Sequence, residues 1–104
     1  MSTFDEREKA QEAKFAHDAQ LTFKAEARRN KLLAIWVAEL VGNSNVDAYI
    51  AEVIASDFEE AGDEDVYRKI SGDLEKAGAN VSEEDIRAKM AETLSIAREQ
   101  VLTE

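Results

Sequence analysis

The stretch FDEREKAQEAKFAHDAQLTFKAEARRNKLLAIWVAELV, residues 4–41, contains neither proline nor glycine and changes character part-way along. From Leu32 to Val41 nearly every position is apolar, and Leu32, Leu33, Trp36, Val37, Leu40 and Val41 recur at helical spacing. This end is predicted to lie inside a packed core, with Trp36 a core residue. Before it, the large apolar residues are only Phe4, Phe15, Leu21 and Phe23, scattered among charges and alanines. That composition forms helix but has little to bury. The expectation is a weakly packed helical arm on a compact body, suited to binding another molecule.

Working outward, Thr3 with Glu6 makes a capping box, so helix can start at once and run unbroken to Gly42. Gly42 and Asn43 stop it. Ser44 and Asn45 offer an N-cap for a second helix with the stripe Val46, Tyr49, Ile50, Val53, Ile54, Phe58 and Ala61, ended by Gly62. Asp63 caps a third helix, striped by Val66, Tyr67, Ile70, Leu74 and Ala77 and ended by Gly78, with Gly72 weakening its interior. Ser82 with Asp85 opens a fourth, striped by Ile86, Met90, Leu94, Ala97 and Val101. The second and third stops echo each other, Asp57-Phe-Glu-Glu-Ala-Gly62 against Asp73-Leu-Glu-Lys-Ala-Gly78, and local capping accounts for the likeness without a duplicated fold.

Four one-sided helices with short loops predict an all-α, antiparallel four-helix bundle. A helix over residues 4–41 would be roughly 55 Å long, against about 22 to 30 Å for the other three. At least the first ~15 residues then have no partner in the bundle and project as a flexible arm, fray or fold back. The expected division of the single domain 1–104 is an arm over 1–19 and a four-helix body over 20–104.

The chain has 104 residues, 44% hydrophobic and 35% charged, with no cysteine. This fits one small soluble domain without disulfides or thiolate chemistry. Neither a signal pattern nor an apolar run of bilayer length is present, so the default address is the bacterial or organellar interior, without membrane insertion. A net charge of -10 argues against nucleic acid as a partner. Residues 1–31 carry seven Lys or Arg against six Asp or Glu, leaving six against seventeen for residues 32–104. Arm and body thus face different electrostatic surroundings.

Little in the chain could carry catalysis. Neither a GxGxxG nor a GxxxxGK[ST] loop occurs, and His17 is the lone histidine. His17 and Asp18 are adjacent, and neighbours on a helix do not face each other, so they form no pair. Reading residues 57–68 as a calcium loop puts Gly62 in place but Ala61 and Arg68 where ligands belong, so no metal site is expected. The acidic run Glu59, Glu60, Asp63, Glu64, Asp65 reads as a solvated junction. Arg28, Arg29 and Lys31 form a basic cluster that pairs with Glu26 or the acidic body, or meets an acidic partner or a nucleotide phosphate. Phe4 and Phe15, aromatics on a charged helix, suit a groove in another protein.

The block FDEREKAQEAKFAHDAQLTFKAEARRNKLLAIW, followed by DFEEAGDEDVYRKI and IRAKM, resembles the zeta subunit family of bacterial ATPase inhibitors over essentially the whole chain. The resemblance implies a non-catalytic regulatory subunit that blocks ATP hydrolysis by the F-type ATP synthase. It implies a cytoplasmic protein, peripheral to the inner membrane through the synthase and monomeric when free. The N-terminal segment of that family enters a catalytic interface between alpha and beta subunits, beside the gamma shaft, while the helical body stays outside. Carried onto this sequence, the partner contacts fall on Phe4, Arg7, Glu8, Lys9, Glu12, Lys14, Phe15, His17 and Asp18. Residues 42–48 receive no function. Two other classes fit the bare residues: a helical bundle that senses ADP or ATP as a regulatory ligand between its helices, and a scaffold or assembly protein.

Overall fold

The computed structural model describes residues 18–57 and 62–104. Four helices order the described chain: α1 (Ala19–Val41), α2 (Val46–Ser56), α3 (Glu64–Lys76) and α4 (Glu83–Thr103). The fold is the expected all-α four-helix bundle. Cross-bundle contacts give the directions. Arg28 of α1 meets Gln100 of α4, while Lys89 of α4 lies over the ring of Trp36; Asn30 meets Asp57, and Tyr49 of α2 meets Asp73 of α3. Successive helices are therefore antiparallel. α1 touches all three others and packs most extensively on α4. The two are matched in length at 23 and 21 residues, about 35 and 32 Å. α2 and α3 are shorter than expected, 11 and 13 residues.

The sequence-based run from Phe4 to Val41 does not continue unbroken through Asp18. That residue is extended, at φ -131° and ψ 99°, and its carboxylate accepts the backbone N–H groups of Gln20 and Leu21 at 3.0 and 3.2 Å. A short acidic side chain satisfying two of the four orphan donors of a helix start competes well with a further helical turn. The capping box at Thr3 and Glu6, and residues 4–17 with it, lie outside the described residues.

The core runs through Leu33, Ala34, Val37 and Ala38 of α1, Tyr49 and Val53 of α2, Val66, Ile70 and Leu74 of α3, and Ile86 and Met90 of α4. A second cluster joins Leu21 and Ala25 to Val101 and Leu102. Packing thus begins about three helical turns earlier in α1 than the run of large apolar residues suggests. Ala25 is small enough for α4 to come close, so the seam follows residues four apart (Ala25, Arg29, Leu33, Val37) and not the bulkiest ones. Leu40, placed in the core by its hydrophobicity, is 47% exposed. Trp36 is only partly buried, covering the core edge beneath Lys89.

Gly42, at φ 72°, ends α1, and the N–H of Asn43 reaches back to the Ala38 carbonyl at 2.9 Å. Ser82 caps α4 through Asp85, as its sequence spacing indicates. Of the first of the two echoing stretches, residues 58–61 lie outside the described residues. α2 ends at Ser56, the residue before its copy, whereas α3 runs through Asp73 and Leu74 to Lys76. Asp57, the C-cap of α2, accepts a hydrogen bond from Asn30 of α1, whereas Asp73 lies within α3. Phe58 and Ala61, assigned to the α2 stripe, lie outside the described residues. No helix among the described residues is long and apolar enough to cross a membrane.

Candidate functional site

Of the nine positions to which the resemblance assigns partner contacts, Phe4, Arg7, Glu8, Lys9, Glu12, Lys14, Phe15 and His17 lie outside the described residues. Asp18 lies within them, where its carboxylate caps α1. Asp18 thus serves as the N-cap of α1.

One turn further on stands Phe23, 60% exposed. On one side of it a cleft of about 250 Å³ is lined by Phe23, Glu26, Ala27, Asn30, Ile54 and Asp57. On the other, a more open depression adds Lys24, Arg28, Lys31 and Glu104. Burial pushes both carboxyls of the first cleft upward. For Glu26 the neighbouring Asp57 adds to the effect; for Asp57 the hydrogen bond from Asn30 and the charge of Arg29 offset it in part. These are negative charges held where water is scarce.

Beneath that cleft the basic cluster separates into three fates. Arg29 is fully buried. Its Nε donates to Asn30 Oδ1 at 2.7 Å, and its Nη2 lies 3.2 Å from Asp63 and 3.8 Å from Asp57. Arg28 reaches across to Gln100 at 2.9 Å and to Glu104. Lys31 is exposed. The expected pairing with the acidic body holds for Arg28 and Arg29, but Arg29 is buried and not solvated, and it ties Asp57 and Asp63 to α1. Asp63 occupies the N-cap position of α3, as expected, but makes no capping hydrogen bond, and its carboxylate meets Arg29 instead. The spacing contained a signal for this: Arg29 falls on the line Ala25, Leu33, Val37, so burying that line buries the guanidinium with it.

A second polar group closes the other end of the bundle. The buried Tyr49 donates its hydroxyl to Asp73 at 2.7 Å, and Lys69 bridges Asp73 and Glu52 at 3.0 and 2.9 Å. Burial, and then the Asp73 acceptor, hold the Tyr49 hydroxyl protonated far above its ordinary range. Every partner in this set is satisfied locally, which describes a structural tie between α2 and α3. No group of three or more His, Cys, Asp or Glu placed to hold a metal ion occurs among the described residues.

Comparison with known proteins places these features in a family. No curated protein matches the chain. A structure described as a solution NMR structure is 48% identical in sequence, with a TM-score of 0.70, over 80% of this chain and 96% of that one. The family described as ATPase inhibitor subunit zeta matches residues 1–100, a span that takes in both the segment before Asp18 and the four-helix body. The chain belongs to the ATPase inhibitor subunit zeta family.

Proposed function

We propose that this protein is a non-catalytic regulatory subunit that inhibits ATP hydrolysis by the F-type ATP synthase. In this reading, residues 1–19 enter a catalytic interface between the alpha and beta subunits beside the gamma shaft, and the bundle stays outside as the anchor. The observation that carries the reading is the family match across residues 1–100. The body in this reading is the four-helix bundle, whose core draws on all four helices. A wedge of this kind inhibits by binding one rotational state better than the others, and its effect is bounded by that difference in affinity. The protein reaches the membrane only through the synthase.

The test is the ATPase activity of the purified synthase head, alpha, beta and gamma together, with and without the full-length protein. The expected result is saturable inhibition. Unchanged hydrolysis at concentrations where the protein demonstrably binds the head would leave a scaffold role in its place.

A further inference from the structure

Phe23 is the most exposed large apolar side chain among the described residues. Single exposed phenylalanines need no explanation. This one forms a shared wall of three adjoining depressions and, with Ala27 and Ile54, makes a continuous apolar surface. One flank of that surface carries Lys24 and Lys31, both exposed. Between them Arg28 is already turned toward Gln100 of α4 and Glu104 just past it. The other flank carries Glu26 and Asp57, set back in the cleft beside Asn30. On a chain of net charge -10, an apolar surface edged by two available lysines is where an acidic partner can approach without repulsion. Its place on the fold matters as much. Phe23 lies five residues past Asp18, about 7.5 Å along the helix axis, so it stands near the start of α1 and, in the reading above, close in sequence to the inhibitory segment.

We infer that the Phe23 surface is a second docking site for the synthase head, one that takes an acidic amphipathic helix or edge of a partner subunit. An apolar side chain of that element enters the cleft beside Phe23, and its carboxylates meet Lys24 and Lys31. The inference rests on the inhibitory reading above and adds to it a contact made by the folded body. Because both contacts share one chain, closing either raises the effective concentration of the other, so the body contact lengthens the residence of the inhibitory segment.

Binding of the full-length protein to the purified head, followed in real time at several salt concentrations, tests this together with ATPase inhibition. Phe23→Ala is expected to weaken binding about tenfold, mainly through faster dissociation. The double change Lys24→Glu with Lys31→Glu is expected to weaken it by a similar factor and to flatten the salt dependence of the native protein. Leu40→Ala, which removes another large exposed apolar side chain at the far end of α1, should bind as the native protein does. Since all these side chains are exposed, thermal unfolding should stay close to native and serves as the check on folding. Native-like binding by both the Phe23 and the lysine variants, with the native protein still inhibiting, overturns the docking site and leaves the inhibitory reading intact. If the native protein itself fails to bind the head, the inhibitory reading falls and the docking site with it. If Phe23→Ala turns a free dimer into a monomer in sedimentation while head binding is unchanged, the surface is a self-association face and the inference is wrong.

Discussion

Arg29 carries a full charge at a position with no solvent exposure. What makes this tolerable is the set of acceptors brought to it from three elements: Asn30 beside it, Asp57 at the end of α2 and Asp63 at the start of α3. Truncating it strands a partly buried Asp57 and leaves a void on the α1 seam. Arg29→Ala is expected to cost about 3–5 kcal/mol, read as a shift of the urea midpoint, and Asp57→Asn in the same chain should recover part of that loss. A cost below about 1 kcal/mol would show that the junction is held by something else. Glu26 nearby behaves in the opposite sense. Its pKa is raised in the folded state, by burial first and then by Asp57, so the folded state binds protons more tightly than the unfolded one. Stability should therefore fall as pH rises from the ordinary carboxylate range through the raised value, with the penalty fully present at neutral pH. Glu26→Gln is expected to raise the neutral-pH Tm and flatten that slope, by less than about 1 kcal/mol because solvent screens the site. A lower Tm at neutral pH would contradict this.

At the scale of the elements, the ends of the helices decide how much each contributes. Asp18 satisfies two donors at the start of α1, so Asp18→Ala should cost about 1 kcal/mol and speed hydrogen exchange at the amides of Gln20 and Leu21. Two glycines should respond oppositely to alanine. Gly72 sits inside α3 with open space where a methyl group would go, so Gly72→Ala should stabilise the protein by about 0.5–1 kcal/mol. Gly42 has equal space but a left-handed backbone, so Gly42→Ala should destabilise it by about 1 kcal/mol. Thermal unfolding of the pair checks both signs. These ends also show what was legible. Gly42 and Ser82 can be read from the sequence because their caps are local, each bonding within its own turn. The bond that Asp57 accepts at the end of α2 cannot, because its donor, Asn30, lies 27 positions earlier. Asp18 was readable in principle as a capping residue, but a long run with neither glycine nor proline masked it.

At the scale of the molecule, hydrophobic spacing was enough for four helices and their antiparallel order. It placed Leu33 and Val37 of α1 in the core, where they are, but set Leu40 there too. The seam there is built from Ala25, Ala34 and Ala38 around Leu33 and Val37, so that side-chain size lost to closeness of approach, and Leu40 and part of Trp36 were left outside. The candidate site was legible only as a long, weakly hydrophobic segment ahead of a core. The Phe23 surface was not, since its clefts arise where α1 and α2 meet. What unites the scales is a four-helix body, described from Asp18 onward, and a family match that takes in the residues ahead of it as well. The most direct measurement of that division is ATP hydrolysis by the purified synthase head, titrated with the full-length protein and with a chain lacking residues 1–19, the helical content of each followed by circular dichroism. The truncated chain is expected to keep the helical signal and cooperative unfolding of the bundle but no longer to inhibit. Inhibition by the truncated chain at full-length strength would contradict this and move the inhibitory surface onto the helical body.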